Sequence, residues 1–172
     1  MKEAELAAHV QAFMSEEGIE VVLSGGACVC IYSAGKYVSS DIDLVDIGHT
    51  AFRRLMAIMG KNGFQAEGRH FTHPDSEYLV EFPPGPLAVG SEPVGRVDEI
   101  ETAAGGLRII SPTDCVKDRL AAYYHWNDLQ CLEQALLVTA SREIDFAEVE
   151  RWSGAEGMGA KFERIRKGLT GR

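Results

Sequence analysis

The chain has 172 residues, 26 acidic against 17 basic, for a formal net charge of −9. That length gives one domain, or a core with a helical appendage, and an apolar share of 45% is enough to build a proper core. The negative balance argues against broad non-specific nucleic-acid binding, which rests on a basic surface, and the charged start Met1-Lys2-Glu3-Ala4-Glu5-Leu6 with no long apolar run leads to the expectation of neither signal peptide nor membrane span, with cytoplasm as the default compartment.

Glu3 to Glu17 reads as an amphipathic helix with Leu6, Val10, Phe13 and Met14 at helical spacing, stopped by Gly18. Ile19-Glu20-Val21-Val22-Leu23 is a short buried strand. Ser24-Gly25-Gly26 follows as a tight turn, and residues 26–34 suit a helix packed behind it. Residues 42–46 form the next strand. Thr50 to Met59 fits a helix with Phe52, Leu55, Met56 and Met59 on one stripe, closed by Gly60 and Gly63. Phe64 to Phe71 reads as a strand pairing with 77–82 through the turn His73-Pro74-Asp75-Ser76, which leaves His70 and His73 as surface imidazoles of a turn rather than metal ligands. Pro83-Pro84-Gly85-Pro86 must end that second strand.

Residues 98–101 and 107–110 look like a hairpin around Ala104-Gly105-Gly106. From Ser111 the period turns helical, with Pro112 early, Asp114 in the first turn, and Val116, Leu120 and Tyr123 on one face of the run Cys115 to His125. Gln130 to Ala140 and Asp145 to Trp152 complete a small helical cap. The expected division is a core of residues 1–110 and a helical subdomain of 111–172. Cys28, Cys30, Cys115 and Cys131 lack zinc-site spacing and read as buried reduced thiols. Beyond residue 150, Arg151, Lys161, Arg164, Arg166, Lys167 and Arg172 stand against Glu156 and Glu163, which suits either a phosphate-bearing acceptor or the ordinary cationic end of a helix.

The chemistry concentrates around Asp41 and Asp43. Residues two apart on a strand share a face, so the two carboxylates aim together while Ile42 and Leu44 face the other side. Adjacent carboxylates repel unless a cation lies between them. Mg²⁺ held by one or two carboxylates usually also binds substrate phosphate. The glycines at 25 and 26 let backbone approach a ligand closely, and a helix opening on such a turn offers free N–H groups to a phosphate. Phosphate cradle and metal carboxylates at neighbouring strand ends are the minimum equipment for phosphoryl or nucleotidyl transfer.

Ser24-Gly25-Gly26-Ala27 followed by Ser39-Ser40-Asp41-Ile42-Asp43-Leu44 resembles the core motif of the nucleotidyltransferase-fold superfamily, and its Gly-Gly form is similar to the AbiEii-type toxin nucleotidyltransferases and related bacterial families. The resemblance covers residues 19–82, and more loosely 111–132. It implies an α/β (α+β) fold: a nucleotidyltransferase-like mixed sheet with flanking helices and a C-terminal helical subdomain. It also implies a third carboxylate on a later strand, for which Glu81 is favoured over Glu77, the alternative being an edge-strand glutamate that points to water. Asp41, Asp43 and Glu81 would then hold two Mg²⁺ ions, with Glu81 helping to activate an acceptor hydroxyl.

By the same resemblance Ser24, Gly25 and Gly26 would cradle the phosphates of a nucleoside triphosphate. Ser39 matches the small hydroxyl position two before the aspartate. Gly26 stands where the family pattern has serine, and Tyr37 where many relatives have arginine, so Lys36 would supply the cation. Asp118-Arg119-Leu120-Ala121-Ala122 and Trp126-Asn127-Asp128 resemble helices that line the nucleotide side of the cleft, with Arg119 in a lysine position and Asp128 matching an aspartate; the alternative is an ordinary ion pair between these two. The acceptor would be RNA, a protein hydroxyl or a small molecule, and an antitoxin-like partner protein follows by analogy. A non-catalytic binding or assembly module of the same fold is the rival, favoured by Tyr37 and the missing serine, disfavoured by the intact Asp pair.

Overall fold

The computed structural model describes residues 1–171, so Arg172 of the basic tail lies outside the described residues. Helix α1 (Glu3–Glu16) buries Leu6, Val10, Phe13 and Met14. It ends at Gly18, φ +72°, where the Gly18 and Ile19 N–H groups return to the Ser15 and Met14 carbonyls. A left-handed residue closing the helix with these two bonds is a Schellman cap, and glycine adopts it without Cβ strain.

Strand β1 (Val21–Ser24) runs directly into α2 (Gly25–Tyr32), which buries Ala27, Cys28, Val29 and Tyr32. Strand β2 (Asp41–Asp46) returns antiparallel to β1. Asp46 at its end is buried and accepts from the Gly48 N–H (3.1 Å) and the Thr50 N–H and hydroxyl, so it folds the approach to α3 (Phe52–Lys61). This is an Asx-type turn in which a carboxylate satisfies backbone donors that would otherwise be orphaned.

The strand expected over Phe64 to Phe71 is instead a hairpin, β3 (Gln65–Glu67) and β4 (His70–Thr72). Gly68 breaks it at φ +66°, and all three residues of β3 are exposed, so no buried face holds one continuous strand together. Only β4 pairs with β5 (Leu79–Glu81). His70 is therefore a strand residue, not a turn imidazole. His73 does lie in the turn, where its Nδ1 accepts from the Asp75 N–H at 3.1 Å and its ring packs on Phe64.

A small ribbon of β6 (Ala88–Val89) and β7 (Glu92–Pro93) precedes the hairpin of β8 (Val97–Thr102) and β9 (Gly105–Ile110). Thr102 pairs with Gly105, so the turn is Ala103-Ala104 and both glycines are strand residues. A Cβ on Gly106 would sit 2.5 Å from the Glu99 carboxylate, which lies diagonally across the pair, since Gly106 itself stands opposite Glu101.

The helices are α4 (Pro112–Trp126), α5 (Leu129–Thr139), α6 (Phe146–Ala155) and α7 (Gly159–Thr170). Ser111 caps α4 by accepting the Asp114 N–H, and Asp128 and Asp145 cap α5 and α6 in the same way. Among the described residues one sheet has seven strands in the order β3-β4-β5-β2-β1-β9-β8, antiparallel except for β2 with β5 and β1 with β9. Helix α1 lies along β1 and β9, and Gln11 bonds both the N–H and the C=O of Arg108 at 2.8 and 2.7 Å. Helix α4 packs on α2, α5 and α6; Trp152 of α6 is fully buried, stacked on Tyr124 and donating its indole N–H to the Val89 carbonyl. The four cysteines are free, three of them buried and Cys30 half-buried. No described helix is long and apolar enough to cross a membrane.

Candidate functional site

The centre of the sheet brings three candidate residues side by side. Ser24, the last residue of β1, pairs with Asp43 of β2, and Asp43 pairs in parallel register with Glu81 of β5. Directly opposed strand residues share a face and hold their Cβ atoms about 4.5–5.5 Å apart. Asp41 lies on that face by the two-residue period, while Ile42 and Leu44 are fully buried on the other. The alternation that puts Ile42 and Leu44 in the core therefore presents Asp41, Asp43 and Glu81 outward together.

The glycine turn meets this row. Gly25 has φ +72°, and a Cβ there would lie 2.2 Å from Asp43 Oδ2, so the carboxylate lies directly over its backbone. Ser24 makes no side-chain cap for α2, which leaves the first N–H groups of that helix without a side-chain partner at the same place. Gly26 is covered rather than open: its Cβ position is 3.0 Å from Ser39 Oγ and 3.5 Å from the Tyr37 ring. Ser39 is buried, its hydroxyl donating to the Asp41 carbonyl at 2.9 Å and accepting the Asp41 N–H at 3.3 Å. That hydroxyl shapes the entry to β2. Lys36 is directed elsewhere, with Nζ 3.5 Å from Ser141 Oγ.

Electrostatics mark the row as under-neutralised. Burial and then the nearby Glu81 charge raise the Asp43 carboxyl to about 6, with Arg119 acting in the opposite direction. Arg119 is mostly buried on α4, gripped by the adjacent Asp118 and 3.3 Å from Gln134 Oε1. Its ion-pair partner is Asp118, not Asp128. Asp128 instead caps α5, accepting the Cys131 N–H at 3.1 Å, and that bond holds its carboxyl below the usual range. Burial raises the Tyr37 phenol, which also feels Arg119, Cys131 and Asp41, so Tyr37 is the residue of its loop that stands at the cleft.

Glu81 has a neighbour that sequence reasoning missed. His70 Nδ1 lies 2.6 Å from Glu81 Oε1, opposite it across β4 and β5, yet it is buried and makes no well-formed hydrogen bond among the described residues. Asp118 was also missed, although it sits in the stretch that suggested Arg119. Glu77 lies outside β5 and is exposed.

Among the described residues no three His, Cys, Asp or Glu side chains converge closely enough to hold an ion unaided. The donor set is nevertheless right for a hard cation: carboxylate oxygens over a cradle that a single Cβ would fill, with burial and then the Glu81 charge raising the Asp43 pKa. Mg²⁺ characteristically uses one or two carboxylates and takes its remaining oxygens from phosphate and water. The residues fit an ion that arrives with a phosphate rather than a ready-made cage.

No protein-family model matches this chain, and no curated protein matches it. Solved structures do. The crystal structure of an antigenic nucleotidyltransferase-like protein from Paracoccidioides brasiliensis superposes with a TM-score of 0.65 at 13% identity, covering 97% of this chain and 91% of that one. The crystal structure of ANT(2")-Ia in complex with adenylyl-2"-tobramycin gives 0.55 at 19% identity, covering 91% and 98%. The solution structure of the antibiotic-resistance factor ANT(2'')-Ia gives 0.53 at 18%, covering 97% and 94%. With this sheet order and these near full-length matches, the chain has the nucleotidyltransferase-like fold.

Proposed function

We propose that the protein is a Mg²⁺-dependent nucleotidyltransferase that moves a nucleoside monophosphate from a nucleoside triphosphate to an acceptor hydroxyl, with residues 1–110 as its core and 111–172 as a helical cap. The observation that carries the reading is the register Ser24–Asp43–Glu81 across β1, β2 and β5, with the Gly25 backbone under the Asp43 carboxylate. Asp41, Asp43 and Glu81 would hold the ion, which when bound neutralises phosphate charge. The first N–H groups of α2 bind phosphate oxygens, and Arg119, fixed by Asp118 and Gln134, faces the triphosphate from the helical side. As the acceptor oxygen bonds to the α-phosphorus and the bond to pyrophosphate breaks, Glu81 takes the hydroxyl proton. His70 Nδ1, 2.6 Å away and otherwise unpaired, is placed to receive it.

A small-molecule acceptor is favoured. The net charge of −9 disfavours a nucleic-acid acceptor, and the ANT(2")-Ia structure holds an adenylylated small molecule. The test is thermal unfolding with each nucleoside triphosphate, with and without Mg²⁺. A ligand at 100 times its Kd adds about 2.7 kcal/mol to native stability, which is a rise of several degrees for a chain of this size. No Mg²⁺-dependent shift with any triphosphate would sink the reading. A second reading, a nucleotide-binding module without catalysis, is supported by Tyr37 in the place of a cation. It predicts the same thermal shift but no pyrophosphate release with any hydroxyl acceptor.

A further inference from the structure

The space beside the opening turn of α2 is taken by Tyr37. A Cβ on Gly26 would lie 3.0 Å from Ser39 Oγ and 3.5 Å from Tyr37 Cε1. Cε1 is bonded to the ring carbon that carries the hydroxyl, so the hydroxyl end of the ring lies against the second residue of the helix. The N–H groups of Gly25, Gly26 and Ala27 belong to the first turn, where an α-helix gives its donors no internal partner. The tip of the phenol and these amides therefore stand together, next to the Gly25 backbone that lies under the Asp43 carboxylate.

Tyr37 is held at one end and free at the other. Its N–H donates to the Oγ of the buried Ser33 at 3.3 Å, and the Gly35 N–H donates to the Cys30 carbonyl at 2.9 Å, which ties the loop to the end of α2. The side chain is half-buried, yet its hydroxyl makes no hydrogen bond among the described residues. The Ser39 hydroxyl beside it is already committed in both directions to the Asp41 backbone. Burial raises the Tyr37 phenol above its ordinary value, so at neutral pH it keeps its proton and can donate. A tyrosine hydroxyl on a packed ring ordinarily finds a partner. The amides beside this one are donors too, so a single incoming oxyanion satisfies both.

We propose that the Tyr37 hydroxyl is a substrate-binding group of the nucleotide site, donating to the phosphate that the first amides of α2 hold and supplying the hydroxyl that Gly26 has no side chain to offer. This rests on the nucleotidyltransferase reading. Tyr37→Phe removes the hydroxyl and keeps the ring beside Gly26. By calorimetric titration, its affinity for Mg²⁺-ATP should fall about tenfold, the scale of one hydrogen bond to a charged group. Its affinity for inorganic triphosphate with Mg²⁺ should fall by the same factor, because the lost bond is to phosphate. The Tm of the ligand-free protein should be unchanged, because the hydroxyl has no partner within the chain.

Equal affinities of parent and variant for both ligands would overturn the proposal and leave the triphosphate reading standing. A loss confined to ATP would place the hydroxyl at the nucleoside instead of the phosphates, and would overturn it too. So would a lowered Tm without ligand, which would show the hydroxyl bonded inside the protein. A parent that binds neither ligand with Mg²⁺ overturns the reading itself, and the proposal with it.

Discussion

Asp43 is expected to cost the folded protein stability, and removing its charge should show it. Its carboxyl stands at about 6 against 3.8 unperturbed, because burial and the facing Glu81 both disfavour the charged form. For an acid whose folded pKa is raised, the native state binds the extra proton between the two values, so stability falls as pH rises through that window. At about 1.36 kcal/mol per pKa unit, the penalty at pH 7 is about 2–3 kcal/mol, shrinking to about 0.5 kcal/mol near pH 4. Asp43→Asn is nearly isosteric and removes the charge. Its Tm at pH 7 should exceed the parent's by about 5–10 °C for a chain of this length, and the gap should close toward pH 4. The same variant should lose any Mg²⁺-dependent stabilisation by triphosphate, so one substitution moves stability and binding in opposite directions. Scanning calorimetry at both pH values is the assay. Equal Tm values at pH 7, or a gap that persists at pH 4, would refute the argument that unneutralised charge dominates at this position.

Gly25→Ala should destabilise by about 1–2 kcal/mol through its left-handed φ alone, and should weaken Mg²⁺-nucleotide binding because the new Cβ displaces the Asp43 carboxylate; chemical denaturation and a binding titration on one sample read both. Gly26→Val should cost about 1–3 kcal/mol by overpacking against Ser39 Oγ and the Tyr37 ring, seen as a lower urea midpoint with unchanged slope. Lys117 is 6% exposed between Asp114 and Glu148, each at 3.0 Å, so Lys117→Met should cost about 3–5 kcal/mol by stranding a buried carboxylate. Arg151 hydrogen bonds, with help from Lys117, lower the Glu148 carboxyl to about 2, so its contribution is present above pH 4.5 and is lost as acid takes the pH down through 2; Glu148→Gln should flatten that part of the acid-unfolding curve.

The sequence made legible those elements whose apolar period and end signals agree. Helix α1 shows both, with its Leu6–Val10–Phe13 stripe and Gly18 stop, and α4 shows Ser111-Pro112 before a helical run. It misled over Phe64 to Phe71, where the turn at Gly68 is set by backbone sign rather than by hydrophobicity. It also gave no sign of β6 and β7, two residues each, whose pairing depends on α6 being behind them: the Glu92 carboxylate is held by Arg151, and the Val89 carbonyl by Trp152. Neither contact has a local signature. Helix α7 opens on Gly159, two residues after Gly157, where no capping residue signals a helix start.

At the site, period and register were readable and partners were not. The two-residue period places Asp41 and Asp43 on one face from sequence alone, but that Glu81 stands beside Asp43 depends on β5 lying parallel to β2, a long-range fact. The assignment of Lys36 as the cation depended on proximity along the chain. The loop instead turns Tyr37 toward Arg119 and Lys36 toward Ser141, because the Tyr37 ring closes over Gly26 and the hydrophilic neighbour is left outside. This exchange leaves Arg119 as the cation that opposes the raised pKa of Asp43. Arg119 is already engaged by Asp118, whose charge acts against it at Asp43. The net charge at the row of carboxylates therefore stays negative in the protein alone. On the proposed reading, a ligand that brings a cation with its own phosphates would relieve the cost that Asp43 imposes while meeting the first N–H groups of α2.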